Sequence, residues 1–205
     1  MTTELSELQR DALVEIFNIG VGQAANSLSQ IISEPVELSV PTIDIVLSNQ
    51  IETLNARIRS PRVCAVSQDF TGLLNARAFL VFPEGKTLEI VRHMLGESSS
   101  DIGELGEMEQ EALSEIGNII LNACISAMSE VLHAEFHSSL PVYHLGSISK
   151  ILAVNGKPSD DLLLLLHIDF AIPSNQIDGH LIFLLTLPSF NALIKQVDQF
   201  LLSIA

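Results

Sequence analysis

The sequence has 205 residues, enough for one sizeable domain or two fused halves around a hydrophobic core. Its 10 basic and 25 acidic residues give a net charge of −15, which argues against binding to nucleic acid or anionic membranes. The longest apolar run, residues 162–166, is far shorter than the roughly 20 residues of a membrane span, and the N-terminal residues lack a secretory pattern. We therefore expect a cytoplasmic protein without membrane insertion.

The first half predicts a helix, a strand, a hairpin and a second helix, in that order. Ser6 and Gln9 have the spacing of a capping box and precede an apolar rhythm that continues to about residue 32. Alternation after Pro35 predicts a strand, and segments 62–70 and 75–82 predict a hairpin. Pro83 begins a predicted helix. Residues 99–103 form a predicted linker.

The second half repeats this order of elements. It predicts a long helix over 106–134, a strand over 135–154, a hairpin from 161–172 and 179–187, and a closing helix from Pro188. A shift of 100 residues aligns 9–41 with 109–141 without gaps. The aligned segments share nine identities, at Ala12, Leu13, Glu15, Ile16, Asn18, Ile19, Ser29, Ser39 and Pro41.

This repeat predicts one domain, 1–205, made of two similar halves at approximately 1–98 and 104–205. We expect an α+β fold in which the halves are related by a pseudo-two-fold axis. The long helices should pack side by side on a central, mainly antiparallel β-sheet.

The helical period predicts where the repeated residues lie. Asp11, Glu15, Asn18 and Gly22 fall on one polar stripe of the first long helix, opposite its apolar face, which includes Ile31. We therefore expect the stripe to face solvent. Glu111, Glu115, Asn118 and Asn122 fall on the same stripe of the second helix.

Gly20 and Gly22 each weaken a helix by about 1 kcal/mol relative to alanine, so each needs a compensating contact. Gly20 lies on the core side, where close packing of helices explains it. Gly22 lies on the polar stripe, where close approach by a partner's backbone is the alternative explanation.

The stripe allows two kinds of chemistry. Asp11, Glu15, Glu111 and Glu115 could bind metal, as carboxylates do in di-iron bundles. Those bundles use Glu-x-x-His, however, whereas both halves here have Glu-x-x-Asn, and we therefore predict no metal site. An asparagine can instead orient an attacking water in phosphoryl transfer, and an ionised glutamate can hold a lysine of a partner. The substrate would then be a phosphoprotein that carries its own Mg²⁺.

The spacing of these residues resembles the CheC/CheX/FliY family of chemotaxis phosphatases. The family motif is Asp or Ser, three residues, Glu, two residues, Asn, 22 residues and Pro. Asp11, Glu15, Asn18 and Pro41 match it, and we call them, with Gly22, the first copy. In the second copy Glu115, Asn118 and Pro141 match, Glu111 replaces the expected Asp or Ser, and Asn122 replaces Gly22.

The resemblance implies hydrolysis of the aspartyl phosphate of a CheY-type response regulator in chemotaxis or related two-component signalling. It implies that Asn18 and Asn118 position water while Glu15 and Glu115 pair with a partner lysine. Two copies resemble the CheC type in particular. The family also includes association with the CheD deamidase, so a non-catalytic regulatory binding module, for CheD or for a response regulator, is the alternative.

Overall fold

The computed structural model describes residues 4–40, 42–47, 56, 58–87, 91, 106–152, 162–172 and 175–204. Pro41 and the predicted linker 99–103 lie outside the described residues. Single residues 56, 58 and 91 and the segment 84–87 are helical. The main elements, in chain order, are α1 (Glu7–Ile32), β1 (Glu37–Ser39), β2 (Ile43–Leu47), β3 (Val63–Gly72), β4 (Ala76–Pro83), α2 (Glu107–Leu132), β5 (Phe136–Ser138), β6 (Val142–Gly146), α3 (Ile148–Leu152), β7 (Leu162–Ile172), β8 (Asn175–Leu185) and α4 (Leu187–Ile204).

The two long helices end in the same way, and α1 begins with a side-chain cap. At the start of α1 the Gln9 backbone N–H donates to Ser6 Oγ (3.2 Å), and the Ser6 N–H donates to Gln9 Oε1 (2.9 Å). This reciprocal pair confirms the predicted capping box. Both helices stop where a residue turns left-handed, at Ser33 (φ 55°) and His133 (φ 49°).

The sheet links the two halves of the chain by exchanging strands. Its order is β1-β7-β8-β4-β3-β5, with β2 also paired to β7 and β6 also paired to β3, and every described pair is antiparallel. First-half strands β1 and β2 therefore pair with a second-half strand, and β5 and β6 pair with a first-half strand. If each first-half strand is exchanged with its second-half equivalent (β1 with β5, β3 with β7, β4 with β8), the same order results, read from the other edge of the sheet.

The register repeats as well as the order. Tyr143 is paired with Val66, and Ile43, one hundred residues before Tyr143, is paired with Leu166, one hundred residues after Val66. Position 68 of β3 is thereby equivalent to position 168 of β7. These features support the predicted duplication, which remains a prediction together with its boundaries at 1–98 and 104–205.

The helices cover the two faces of the sheet unequally. The long helices α1, α2 and α4 pack on one face and enclose the larger core, which includes Phe17, Val66 and Phe183. The opposite face carries a smaller cluster that contains Ile58 and, from α3, Ile148 and Ile151. The predicted α+β fold, with long helices on a mainly antiparallel sheet, is confirmed.

Gly20 lies at the contact between α1 and α2. A Cβ atom at this position would come within 2.6 Å of Cys124 Cα and 2.9 Å of the Ala123 carbonyl oxygen. The two backbones can approach this closely only because residue 20 has no side chain. The packing explanation for Gly20 is confirmed, and the contact sets α1 and α2 side by side.

One helix among the described residues, α2, is long and apolar enough to cross a membrane by length and composition alone. Half of its apolar window is buried inside the protein, against α1 and the sheet. Burial of this kind is typical of a core helix, which satisfies the same simple test.

Three sequence expectations were wrong in detail. The strand predicted after Pro35 is two strands, separated at residues 40–42, and the strand predicted over 135–154 includes the helical turn α3. In α3 the Ser147 carbonyl accepts from the N–H groups of Lys150 and Ile151, because Ile148 and Ile151 can bury the same side of one turn. Ile31 is exposed rather than buried, although the neighbouring Ile32 packs against the core.

Candidate functional site

The acidic residues of the first copy lie on the solvent side of α1. Asp11 and Glu15 are exposed, as predicted, and neither makes a hydrogen bond or ion pair with the described residues. Arg10 lies beside them, where it donates to the Ile43 carbonyl and faces Asp44 at 3.7 Å. The two stripe carboxylates are therefore available to a cationic group from outside the chain.

Asn18 is half-buried rather than fully exposed, and its amide is held by the backbone of Val40. The Val40 N–H donates to Asn18 Oδ1 (2.8 Å), and Asn18 Nδ2 donates to the Val40 carbonyl (3.2 Å). A backbone N–H can only donate and a carbonyl can only accept, so these two bonds determine which way the amide points.

This contact gives a physical reason for the long spacing in the motif. Val40 is fully buried and directly precedes Pro41, and a residue before proline is biased towards an extended backbone. Asn18 satisfies the two polar groups of Val40 at the break between β1 and β2. The 22 residues between Asn18 and Pro41 are thus the length of chain that returns from α1 to the side chain of Asn18.

Gly22 has no packing role within the described chain. A Cβ atom added to it would meet no atom within 4 Å, in contrast to Gly20. Its stripe position leaves the α1 backbone open one turn beyond Asn18. Packing among the described residues therefore gives no reason for a glycine at this position.

The acidic residues of the second copy are also exposed. Glu111 and Glu115 make no hydrogen bond or ion pair with the described residues. They border a shallow groove of about 370 Å³ between the first turns of α2 and the start of β6. The groove is lined by Glu107, Gln110, Glu111, Ser114, Glu115, Pro141 and Tyr143.

Asn118 is held by side chains instead of by backbone. Its Oδ1 accepts from Gln68 Nε2 (3.1 Å) and from Asn122 Nδ2 (2.7 Å). Gln68 Nε2 also donates to the Ser139 carbonyl (3.0 Å), and Asn122 Nδ2 donates to the Asn118 carbonyl (2.8 Å). Because those carbonyls can only accept, Gln68 and Asn122 must both present donors to Asn118.

Gln68 is the residue of this site that the sequence reasoning missed. It is 2% exposed and lies in β3 between Val66 and Phe70, which face the long helices. The sequence did contain a signal for it. Side chains alternate between the faces of a strand, so position 68 faces the core with its neighbours, and a buried amide needs hydrogen-bond partners. The equivalent position beside the first copy is the fully buried Ile168, on the second-half strand β7.

The segment before the proline also differs between the copies. Leu140 is 84% exposed, whereas the equivalent Val40 is fully buried. Ser139 is held by Asp69, whose carbonyl accepts from the Ser139 N–H (2.9 Å) and whose N–H donates to Ser139 Oγ (2.9 Å). Asn118 is connected to this segment only indirectly, through Gln68 and Ser139, among the residues the structure describes.

The titratable groups near the site do not supply a nucleophile. Burial raises the pKa of Cys64 and raises that of Cys124 to about 12, so both free thiols stay protonated. The bidentate contact of Arg77 with Asp69, at 2.6 and 2.9 Å, lowers the pKa of that carboxyl. In the described part of the chain no three Asp, Glu, His or Cys side chains are grouped as metal ligands would be.

Comparison with known proteins finds a family whose model matches part of the chain. The model of the CheC-like family matches residues 8–45, the segment from α1 to β2 that contains Asn18 and Val40. The chain is 24% identical over 151 residues to the CheY-P phosphatase CheC of Bacillus subtilis, covering 73% of this chain and 72% of that protein.

The chain is similar to CheC in sequence and to FliY in sequence and fold. It is 25% identical to the flagellar motor switch phosphatase FliY of Bacillus subtilis over 78% of this chain, but the match spans only 42% of that longer protein. The crystal structure of Thermotoga maritima FliY superposes with a TM-score of 0.79 at 20% identity, covering 96% of this chain and 98% of that one. The predicted resemblance is confirmed, while the roles of individual residues remain predictions.

Proposed function

We propose that this CheC-like chain hydrolyses the aspartyl phosphate of a CheY-type response regulator in chemotaxis or related two-component signalling. The observation that carries the proposal is the pairing, on one helix face, of an exposed glutamate with a half-buried, oriented asparagine. The names of the two Bacillus subtilis relatives, both phosphatases, support the same chemistry.

Asn18 retains the capacity to hold a water molecule. An amide oxygen has two acceptor positions and an amide nitrogen has two hydrogens, and Val40 uses one of each. The remaining acceptor can take a hydrogen bond from a water, which leaves the water's lone pair directed at phosphorus. The water oxygen then bonds to phosphorus, the bond to the aspartyl oxygen breaks with its electrons left on the carboxylate, and both protons leave with the phosphate.

Glu15 is the proposed docking residue, since an exposed carboxylate with no partner in the described chain can accept a lysine of the receiver. Asp11, Gly22 and Pro41 are the other residues of the first copy. Glu115 and Asn118 form the second proposed position, with Glu111 and Pro141 in support. No cofactor of this chain is required, because the Mg²⁺ of the reaction is expected to stay on the phosphorylated receiver.

A non-catalytic binding module is the second candidate, with a response regulator or a CheD-type protein as its partner. The bonds between Asn18 and Val40 favour it, because they give the asparagine a structural task that needs no catalysis. Under this alternative the chain binds the phosphorylated receiver without shortening the lifetime of its phosphate.

The decisive measurement is the decay of a phosphorylated CheY receiver with the wild-type chain and with Asn18→Ala/Asn118→Ala. The proposal expects wild type to accelerate the decay and the folded double variant to lose nearly all of that acceleration. Full activity in the double variant would contradict the catalytic roles. Binding without acceleration by the wild type would establish the module instead.

A further inference from the structure

The second copy differs from the first in what its asparagine can still offer to a ligand. Gln68 and Asn122 occupy both acceptor positions of Asn118 Oδ1, at 3.1 and 2.7 Å. Asn118 Nδ2 makes no hydrogen bond to any described residue. Asn118 can therefore donate through two N–H groups but has no acceptor position left.

We propose that the second copy binds the phosphorylated receiver without hydrolysing it, because Gln68 and Asn122 hold the Asn118 amide as a donor only. The inference rests on the proposed function and makes Gln68 a positioning residue. An amide that can only donate stabilises a phosphoryl oxygen, which is an acceptor. It cannot accept a hydrogen bond from the attacking water, so it does not direct the lone pair of that water at phosphorus.

The orientation of Asn118 follows from neighbours whose own roles are determined. The Ser139 carbonyl fixes the direction of the Gln68 amide, and the Asn118 carbonyl fixes that of Asn122. Rotating the Asn118 amide would set its nitrogen against two donors, one of them on the fully enclosed side chain of Gln68. These neighbours therefore fix the orientation of the Asn118 amide.

The first copy has neither of these donors. The equivalents of Gln68 and Asn122 are Ile168 and Gly22, which have no side-chain hydrogen-bonding group. Asn18 Oδ1 consequently accepts one bond, from Val40, and keeps one position for water. Replacing Gln68 and Asn122 by these two residues would therefore release the acceptor positions of Asn118.

The test is a gain of activity at the second copy. In an Asn18→Ala background, Gln68→Ile and Asn122→Gly install the residues of the first copy and release the Asn118 oxygen. We expect kcat for decay of a phosphorylated Bacillus subtilis CheY receiver to rise about tenfold over Asn18→Ala alone, with little change in KM. Damage to the fold would lower kcat, so a rise in kcat can be attributed to the release of the Asn118 oxygen.

Gln68→Met in the same background keeps the side-chain length and removes only one donor, so it should give a smaller rise with less risk to folding. The inference is overturned if Asn18→Ala alone keeps half of the wild-type kcat. It is equally overturned if the folded variants bind the receiver but show no rise.

A binding measurement separates this inference from the proposed function. The probe is the same receiver loaded with beryllofluoride, a phosphoryl mimic that cannot be hydrolysed. Binding to the Asn18→Ala chain should weaken about tenfold when Asn118→Ala is added, the scale of one hydrogen bond to a charged acceptor. If the wild-type chain fails to accelerate phosphate decay, the proposed function fails. The beryllofluoride measurement still shows whether the second copy binds the receiver. Unchanged affinity would overturn the inference.

Discussion

The two copies of the motif carry the same glutamate and asparagine but support them in different ways. In the first copy the backbone of Val40 holds Asn18, and the residue before the proline is buried. In the second copy Gln68 and Asn122 hold Asn118, and Leu140 protrudes into solvent. The comparison teaches that an identical side chain can have different remaining hydrogen-bonding capacity, because its neighbours decide which positions are already used.

The largest expected difference between the copies lies in the asparagines. We expect Asn18→Ala to lower the rate of receiver dephosphorylation about 100-fold, the scale of losing one preorganised polar group at a transition state. Asn118→Ala should lower kcat less than twofold. Receiver decay at saturating concentration tests both, and a larger loss of kcat for Asn118→Ala would reverse the assignment of the copies.

The same variant tests the structural task of Asn18. Alanine leaves the N–H and carbonyl of buried Val40 without their partner, so we expect a loss of about 1–3 kcal/mol in the free energy of unfolding. The sequence alone suggested no such loss, because it placed Asn18 on a solvated surface. Urea denaturation measures it, and assays of kcat should use conditions in which the variant is folded.

The two glycines of α1 provide a matched pair. Gly20→Ala should lower the free energy of unfolding by about 1–3 kcal/mol, because its Cβ would strike the backbone of Cys124. Gly22→Ala should raise it by up to about 1 kcal/mol, since the added methyl group meets open space. If Gly22→Ala also raises KM for the receiver, the glycine serves partner approach. An unchanged KM would remove that explanation.

Glu15 should distinguish the two copies through its effect on binding of the receiver. We expect Glu15→Gln to raise KM about tenfold with little change in stability, because the exposed carboxylate contacts no described residue. The matched control is Glu115→Gln, which should leave the steady-state rate nearly unchanged. A fall in kcat with constant KM would show that Glu15 acts in the transition state and not in docking.

The smallest expected effect concerns pH. His144 lies at the position equivalent to Asp44 and is 2.8 Å from Ser67 Oγ, and burial, followed by the charge of Arg77, lowers its pKa below the ordinary 6.5. The unfolded chain therefore takes up a proton first, so stability should be lost as pH falls below about 6.5 and the loss should be complete below the folded pKa. Urea midpoints at about pH 7.5 and about 5.5 should differ less in His144→Asn than in wild type. An equal difference would contradict this contribution.

Local pattern was enough to predict the elements that organise the site. The apolar period and capping box predicted α1, the shift of 100 residues predicted α2 as its counterpart, and helical geometry predicted the exposure of Glu15 and Glu115. These features depend on residues close together in the chain. The same reasoning missed the helical turn α3, because its five residues are too few to establish a helical period.

Only the tertiary structure decided what surrounds the asparagines. Val40 is 22 residues from Asn18, and Gln68 is 50 residues from Asn118, on a strand that also pairs with two strands of the other half of the chain. No local period relates such positions. The sequence by itself determined that each half carries a glutamate and an asparagine on an outward helix face. Strand exchange between the halves decided that Asn118 has no acceptor position left, because it brings Gln68 of the first half into contact with an amide of the second.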